Sequence, residues 1–381
     1  KKAAFFKKKV AVVEKNENFG GAGVNTGTLP SKALKQTAVY LSGKYERGLY
    51  GIERVLEKKA SIDDFLYRKN KIISMQSNVV FRNLEKSNIH IYKGTASFID
   101  SHRLLVTGEK KTEIRGKYIL ISTGSYPCHP SNIPFDNNRI HDSDSILNIT
   151  RFPKSICILG AGVIGCEYAT IFATMGIKTY LINKSDKILG FIDHDVRNAL
   201  VNEMKKANIE FVFNTDLKEV IPPVQKDKEL TAVLTNNKKI TTDMFLFAAG
   251  RNGYTKGLRL EKIGIDVSER ENIKVNEKYQ TNVPNIFAVG DVIGFPSLAN
   301  TGMDQGRVAV SHMINLKDYE SINDILPYGI YTIPEVSMVG LTENQASLKK
   351  IPYVVGIAHC PQLPKGQLLG ATYGFLKIIA D

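Results

Sequence analysis

Ser155-Ile156-Cys157-Ile158-Leu159-Gly160-Ala161-Gly162-Val163-Ile164-Gly165 is the stretch that decides the fold. A short apolar run of this kind reads as a buried strand, and glycines at the spacing Gly-x-Gly-x-x-Gly follow it at once. A helix then runs to about Met175, Gly176 stops it, and Lys178-Thr179-Tyr180-Leu181-Ile182 makes a second strand. Strand, glycine turn, helix and strand in that order form a dinucleotide-binding βαβ unit. Gly160 makes the tight turn, Gly162 lets backbone approach a pyrophosphate, and Gly165 lets helix and strand pack closely. The anion rests on the helix N-terminus, at Val163 and Ile164. A membrane reading of residues 156–182 fails on the glycines, Glu167 and Lys178.

The residue ending the second strand speaks to cofactor choice. An acid there binds the ribose 2′-hydroxyl of NAD, and a nearby Arg accommodates the 2′-phosphate of NADP. This chain has the neutral Asn183 followed by Lys184. Asn183 can hydrogen-bond a hydroxyl without repelling a phosphate, which Lys184 can neutralise. Two readings stand: a degenerate NAD site, or a site that tolerates both cofactors.

Working outward, Val10-Ala11-Val12-Val13-Glu14 reads as another strand ending in an acid, where Glu14 is placed to bind ribose hydroxyls. Its partner glycine turn, roughly 20 residues upstream, would fall before residue 1. Phe19-Gly20-Gly21-Ala22-Gly23 is a flexible turn leading to a helix opened by Thr28-Leu29-Pro30-Ser31-Lys32-Ala33-Leu34. Pro30 suits the first turn, where its missing N–H costs nothing. Residues 61–87 carry helical spacing, and strands are expected at 89–93, 96–100, 104–107 and 118–122. Thr123-Gly124-Ser125 and three prolines then break the chain. Residues 209–247 read as β-rich, and Phe245–Arg251 as a strand with a glycine turn at Gly250-Arg251. Asn285–Asp291 is a strand ending in Gly-Asp, 304–315 a helix, and 321–381 a mixed segment.

A chain of 381 residues suggests two to three domains. With 43% hydrophobic and 23% charged residues, disordered and fibrous classes are excluded. Four cysteines exclude a disulfide-stapled scaffold. No apolar run of 18 residues occurs, and no secretory signal, so a cytoplasmic protein without membrane contact is expected. The net charge of +13 invites nucleic-acid binding, but the lysines are dispersed and no nucleic-acid motif accompanies them. Histidines with metal-ligand spacing are absent, so no metal is assigned. The abrupt ends, with no initiator Met, lead to the expectation of a fragment.

Together these motifs resemble the flavoprotein family that includes dihydrolipoamide dehydrogenase, glutathione reductase and mercuric reductase. The likeness runs through Glu14, the glycine loop with Pro30-Ser31-Lys32, Ser122-Thr123-Gly124-Ser125 and the fingerprint with Glu167. It continues through Ala249-Gly250-Arg251, Ala288-Val289-Gly290-Asp291 and Tyr331-Thr332-Ile333-Pro334-Glu335-Val336. The resemblance implies an α/β fold: two Rossmann-like domains, for FAD and NAD(P), and a truncated α+β dimerisation domain. The expected divisions are 1–148 and 273–320 for FAD, 149–272 for NAD(P), and 321–381 for the start of the dimerisation domain. It implies FAD contacts at Glu14, Lys15, Gly20, Gly21, Ala22, Gly23, Thr28, Thr123, Gly124, Asp291, Leu298 and Ala299. Nicotinamide-dinucleotide contacts follow at Gly160, Gly162, Val163, Ile164, Gly165, Asn183, Lys184, Gly250 and Arg251. Lys32 and Glu167 would pair beside flavin N5, and Val163 stands where some relatives carry a gating tyrosine.

One departure matters. In the family's disulfide reductases the helix after the glycine loop begins Cys-x-x-x-x-Cys, and those positions align here with Gly23 and Thr28. Neither side chain can cycle between thiol and disulfide. The resemblance then points to family members that move hydride from NADPH to NAD by ping-pong use of one site, with a homodimer or higher homo-oligomer as the assembly. A flavin NAD(P)H oxidase or diaphorase, and a non-catalytic nucleotide-binding module, are the alternatives.

Overall fold

Ile156, Cys157 and Ile158 are fully buried, as a strand covered on both faces must be. In the computed structural model, which describes residues 1–44, 49, 60–223, 225, 228–316, 321–322 and 325–381, Ser155–Leu159 pairs in parallel with Lys178–Ile182 and with Met244–Phe247. The sheet order is Ile209–Val212, Lys178–Ile182, Ser155–Leu159, Met244–Phe247, Ile140–Asp142, every pair parallel. The order reverses beside Ser155–Leu159, and in open α/β sheets ligands bind outside the carboxyl ends of the strands at such a point. The sheet lies in a unit made of Ser31–Arg68, His129–Ala249 and Ile325–Asp381. Its core joins Ile158, Leu181 and Leu246 to Tyr168 and Phe172 of the Val163–Thr174 helix.

The other unit comprises Lys1–Pro30, Lys69–Cys128 and Gly250–Asp324. Ala11–Glu14 pairs in parallel with His90–Lys93, and Ile119–Ile121 in parallel with Ile286–Ala288. Thr95–Phe98, Arg103–Thr107 and Lys111–Arg115 form an antiparallel sheet, and Ser125–Pro127 pairs antiparallel with Arg251–Gly253. Phe98, Ile121, Ile273, Ile286 and Val292 form its core. The chain is therefore α/β with two dinucleotide-binding domains, as expected, while the boundary expected at residue 320 lies outside the described residues.

Four local readings differ. The glycine turn is itself a short helix, Gly21–Asn25, because Ala22 can accept from Thr26 and Gly27 backbone N–H groups. Residues expected to break the chain after Gly124 form the strand Ser125–Pro127, which the Arg251–Gly253 strand stabilises from far along the sequence. The helix expected at 304–315 spans Ala299–Met313, starting earlier because Leu298 takes an extended N-cap conformation. The His194–Lys206 helix had no counterpart in the reading. Asp193 caps it by accepting from the Asp195 N–H at 3.0 Å.

Asp193 also belongs to an ion cluster. The Lys377 side chain, 4% exposed, donates to Asp193 at 2.9 Å, to Asp195 at 2.7 Å and to Glu343. It ties the Phe375–Ala380 strand to the start of the His194–Lys206 helix. Burial by itself lowers the Lys377 pKa, but hydrogen bonds with the three carboxylates outweigh it and hold the ammonium above the ordinary lysine value. Burial raises the Asp193 carboxyl, and the Lys377 and backbone hydrogen bonds outweigh that, leaving it low.

Lys377→Met leaves three carboxylates facing one another, and urea unfolding should read a loss of about 3 kcal/mol. The lysine contribution is fully present below its ordinary pKa and disappears as pH rises through the raised folded value. The Asp193 contribution is present above its ordinary pKa and disappears as pH falls through the lowered one. The wild-type advantage over Lys377→Met should therefore be flat from about pH 5 to 10 and shrink outside that window.

Candidate functional site

The glycine loop after Ser155–Leu159 is built from close backbone approaches. Gly160 has φ +104°, and a Cβ there would meet the Ala248 carbonyl oxygen at 2.7 Å. A Cβ on Gly165 would lie 1.8 Å from the Gly160 oxygen, so only glycine lets the helix reach the turn. A Cβ on Gly162 meets nothing within 4 Å, so this glycine faces open space rather than packing. Gly162 is the extended N-cap of the Val163–Thr174 helix and gives it no side-chain cap. The first-turn N–H groups of Val163 and Ile164 thus lie beside that open space, as an anion requires.

Asn183 is brought to this loop, with its side chain engaged on both ends. Its Oδ1 accepts from the Ala161 N–H at 3.2 Å, and its Nδ2 donates to Ser185 Oγ and to the Lys187 carbonyl, both at 2.8 Å. The carboxamide therefore pins residues 183–187 to the glycine turn. Lys184 and Lys187, both exposed, are carried on that pinned loop.

In the other unit Glu14 ends the Ala11–Glu14 strand, with one carboxylate oxygen accepting from the Asn16 N–H at 2.9 Å. Lys15 lies with its ammonium 3.7 Å from the centroid of the Tyr254 ring. Thr123 Oγ1 donates to the Tyr254 carbonyl at 2.6 Å. Gly23 comes to 4.0 Å from the Ala299 side chain, measured from a Cβ built on it, so the Gly20-Gly21-Ala22-Gly23 segment meets the start of the Ala299–Met313 helix after Leu298. Thr28 opens the Thr28–Ser42 helix. Asp291 accepts from Ser125 Oγ at 3.1 Å, and Arg251, which follows Gly250, donates to the same hydroxyl at 2.9 Å and to the Ser125 carbonyl at 3.0 Å. Arg251 is thus a brace on Ser125, a role the sequence did not suggest.

These features fit a dinucleotide. Gly124 holds φ +76° with nothing within 4 Å of a Cβ, and the Ala299–Met313 helix has no side-chain cap at its N-terminus. Both leave backbone free to face a ligand.

Lys32 and Glu167 do meet. Lys32 Nζ lies 2.8 Å and 3.0 Å from the two Glu167 oxygens. Glu167 also accepts from Ser31 Oγ at 3.3 Å and from the Tyr331 N–H at 3.0 Å. Sequence reasoning missed Ser31 and Tyr331 as partners, although both stand inside motifs it quoted. Cys157 and Cys166 are buried, and burial pushes both thiols up, with the Glu167 charge adding to the effect at Cys166. A thiol held protonated is neither nucleophile nor redox partner at neutral pH. Asp193, His194, Asp195 and Glu343 gather closely enough to suggest a metal, but the Lys377 ammonium is already the cation among those carboxylates.

Residues 1–306 match the family described as pyridine nucleotide-disulphide oxidoreductase, and residues 326–381 match its dimerisation domain. The chain belongs to that family. It is an oxidoreductase, with FAD as its cofactor, and the dimerisation domain supports homo-oligomerisation. It is 40% identical over 377 residues to the soluble pyridine nucleotide transhydrogenase of Mycobacterium tuberculosis, covering 98% of this chain and 80% of that protein. It is 38% identical to the protein of the same name from Yersinia enterocolitica, covering 97% and 79%. Among solved structures it resembles the HOCl-induced flavoprotein disulfide reductase RclA of Escherichia coli, with a TM-score of 0.87, 27% identity, and 99% and 82% coverage. Among the described residues no helix is long and apolar enough to cross a membrane.

Two glycine variants separate packing from binding. Gly165→Ala should destabilise the protein by about 1–3 kcal/mol, because its Cβ has no room. Gly162→Ala should leave the thermal midpoint nearly unchanged and weaken NADH binding by roughly tenfold, because its Cβ intrudes only on the open space beside the helix N-terminus. Differential scanning fluorimetry and NADH titration check the pair.

Proposed function

We propose that the protein catalyses hydride transfer between NADPH and NAD, using FAD and no protein disulfide. The observation that carries the reading is chemical. Gly23 and Thr28 stand where a disulfide relay needs cysteines, and the buried Cys157 and Cys166 are held as thiols. Electrons entering from one pyridine nucleotide then have a second pyridine nucleotide as their acceptor. The names of the relatives from M. tuberculosis and Y. enterocolitica support it.

When bound, FAD supplies the centre that accepts hydride and gives it back, so the two nucleotides react in turn at one site, in ping-pong fashion. The chain's residues bind and orient. Glu14 and Asp291 each keep a carboxylate oxygen for the hydroxyls of FAD, in the company of Lys15, Thr123 and Gly124. Gly20 to Gly23, Thr28, Leu298 and Ala299 line the rest of the FAD path. The Gly160–Gly165 turn and the N–H groups of Val163 and Ile164 receive the pyrophosphate of either nicotinamide dinucleotide. Asn183 carries no charge to repel a 2′-phosphate, and Lys184 neutralises one. Arg251, which follows Gly250, braces Ser125. Lys32, oriented by Glu167, places a cation beside the flavin ring, where it favours added electron density. The working form is a homodimer in the cytoplasm.

The test uses the full-length, FAD-loaded protein with NADPH and thio-NAD under argon. Stoichiometric formation of thio-NADH is expected. Oxygen consumption in air with no transfer under argon would establish an oxidase instead, and a colourless protein that binds no FAD would leave only a nucleotide-binding module. Lys184→Glu should raise the KM for NADPH roughly tenfold while moving that for NADH much less, because only NADPH brings a 2′-phosphate.

A further inference from the structure

We propose that Tyr331 is a positioning residue for Lys32, its ring holding the ammonium and its backbone N–H holding the Glu167 carboxylate that the ammonium meets. This rests on the placement of Lys32 beside the flavin given above.

The Lys32 ammonium donates to the two Glu167 oxygens and, at 3.3 Å, to Ser31 Oγ. The Tyr331 ring also lies against this ammonium, its centroid 4.6 Å from Nζ, within cation–π range. Tyr331 acts twice. Its backbone N–H fixes the Glu167 oxygen that Lys32 approaches most closely, and its ring covers the cation.

The ring is itself held. A Cβ on Gly329 would come within 3.2 Å of Tyr331 Cε2, so the ring packs directly on the glycine backbone. Two residues on, the Ile333 N–H donates to Thr170 Oγ1 at 3.2 Å, which ties the segment after the Tyr328–Ile330 strand to the same helix that carries Glu167. The Lys32 side chain is 23% exposed and Glu167 5%, so the ring shields the more exposed member of the pair. Water in place of the ring would both screen the ammonium and let its long side chain choose other rotamers.

Tyr331→Phe keeps the ring and should behave as wild type. Tyr331→Leu removes it, and should lower kcat about threefold to tenfold at nearly unchanged KM. The flavin midpoint potential, measured by xanthine/xanthine oxidase reduction of the FAD-loaded protein, should become more negative in Tyr331→Leu and stay in place in Tyr331→Phe. In a Lys32→Met background, Tyr331→Leu should add nothing to the shift that Lys32→Met causes. Should Tyr331→Leu fail to retain FAD, Tyr331→Met fills the space with a flexible chain and no ring and should shift the potential in the same direction. If Lys32→Met leaves the potential unmoved, the placement of Lys32 is wrong and this inference falls with it. If Lys32→Met moves it while Tyr331→Leu and Tyr331→Met do not, or if the Tyr331 and Lys32 effects add, only the role of Tyr331 is overturned.

Discussion

Glu167 sits on a helix whose neighbouring residues are buried, and its own side chain is only 5% exposed. A carboxylate removed from water is costly unless charge and hydrogen bonds replace its hydration. Lys32, Ser31 and the Tyr331 backbone supply both. Those partners come from the helix that follows the first glycine segment and from the strand region near residue 330. One buried charge therefore sets how three stretches, separated by more than a hundred residues along the chain, register against one another. The core around Tyr168, Phe172, Ile330 and Ile333 closes on that arrangement.

The two nucleotide regions solve the same problem by unlike means. Around Gly160 the backbone is pulled tight, with a Cβ excluded at two positions by carbonyl oxygens. Around Asp291 side chains do the organising: Arg251 grips Ser125, and Ser125 donates to the aspartate. An arginine spent this way fixes one hydroxyl rotor and leaves a carboxylate oxygen for a ligand.

The fingerprint was legible because its glycine spacing follows from steric necessity within a single βαβ unit, and the sheet order bears that reading out. Lys32 and Glu167 were legible only through resemblance, since no local spacing relates residues 135 apart. The partners missed, Ser31 and Tyr331, contribute a hydroxyl, a backbone N–H and a ring face, none of which has a sequence pattern. Asn183 shows a different limit. Its neutrality was plain, but its engagement with Ala161, Ser185 and Lys187 depends on how residues 183–187 fold back. The start of the Ala299–Met313 helix was obscured because Asn300, Thr301 and Gly302 are weak helix formers.

The Lys377 cluster supplies its counter-charge from within the chain. Three acids that would otherwise compete for a dissolved cation receive one that is covalently attached and always equimolar with them. Loading of the cluster and pairing of the Phe375–Ala380 strand are then a single event, indifferent to chelators and to the supply of any ion.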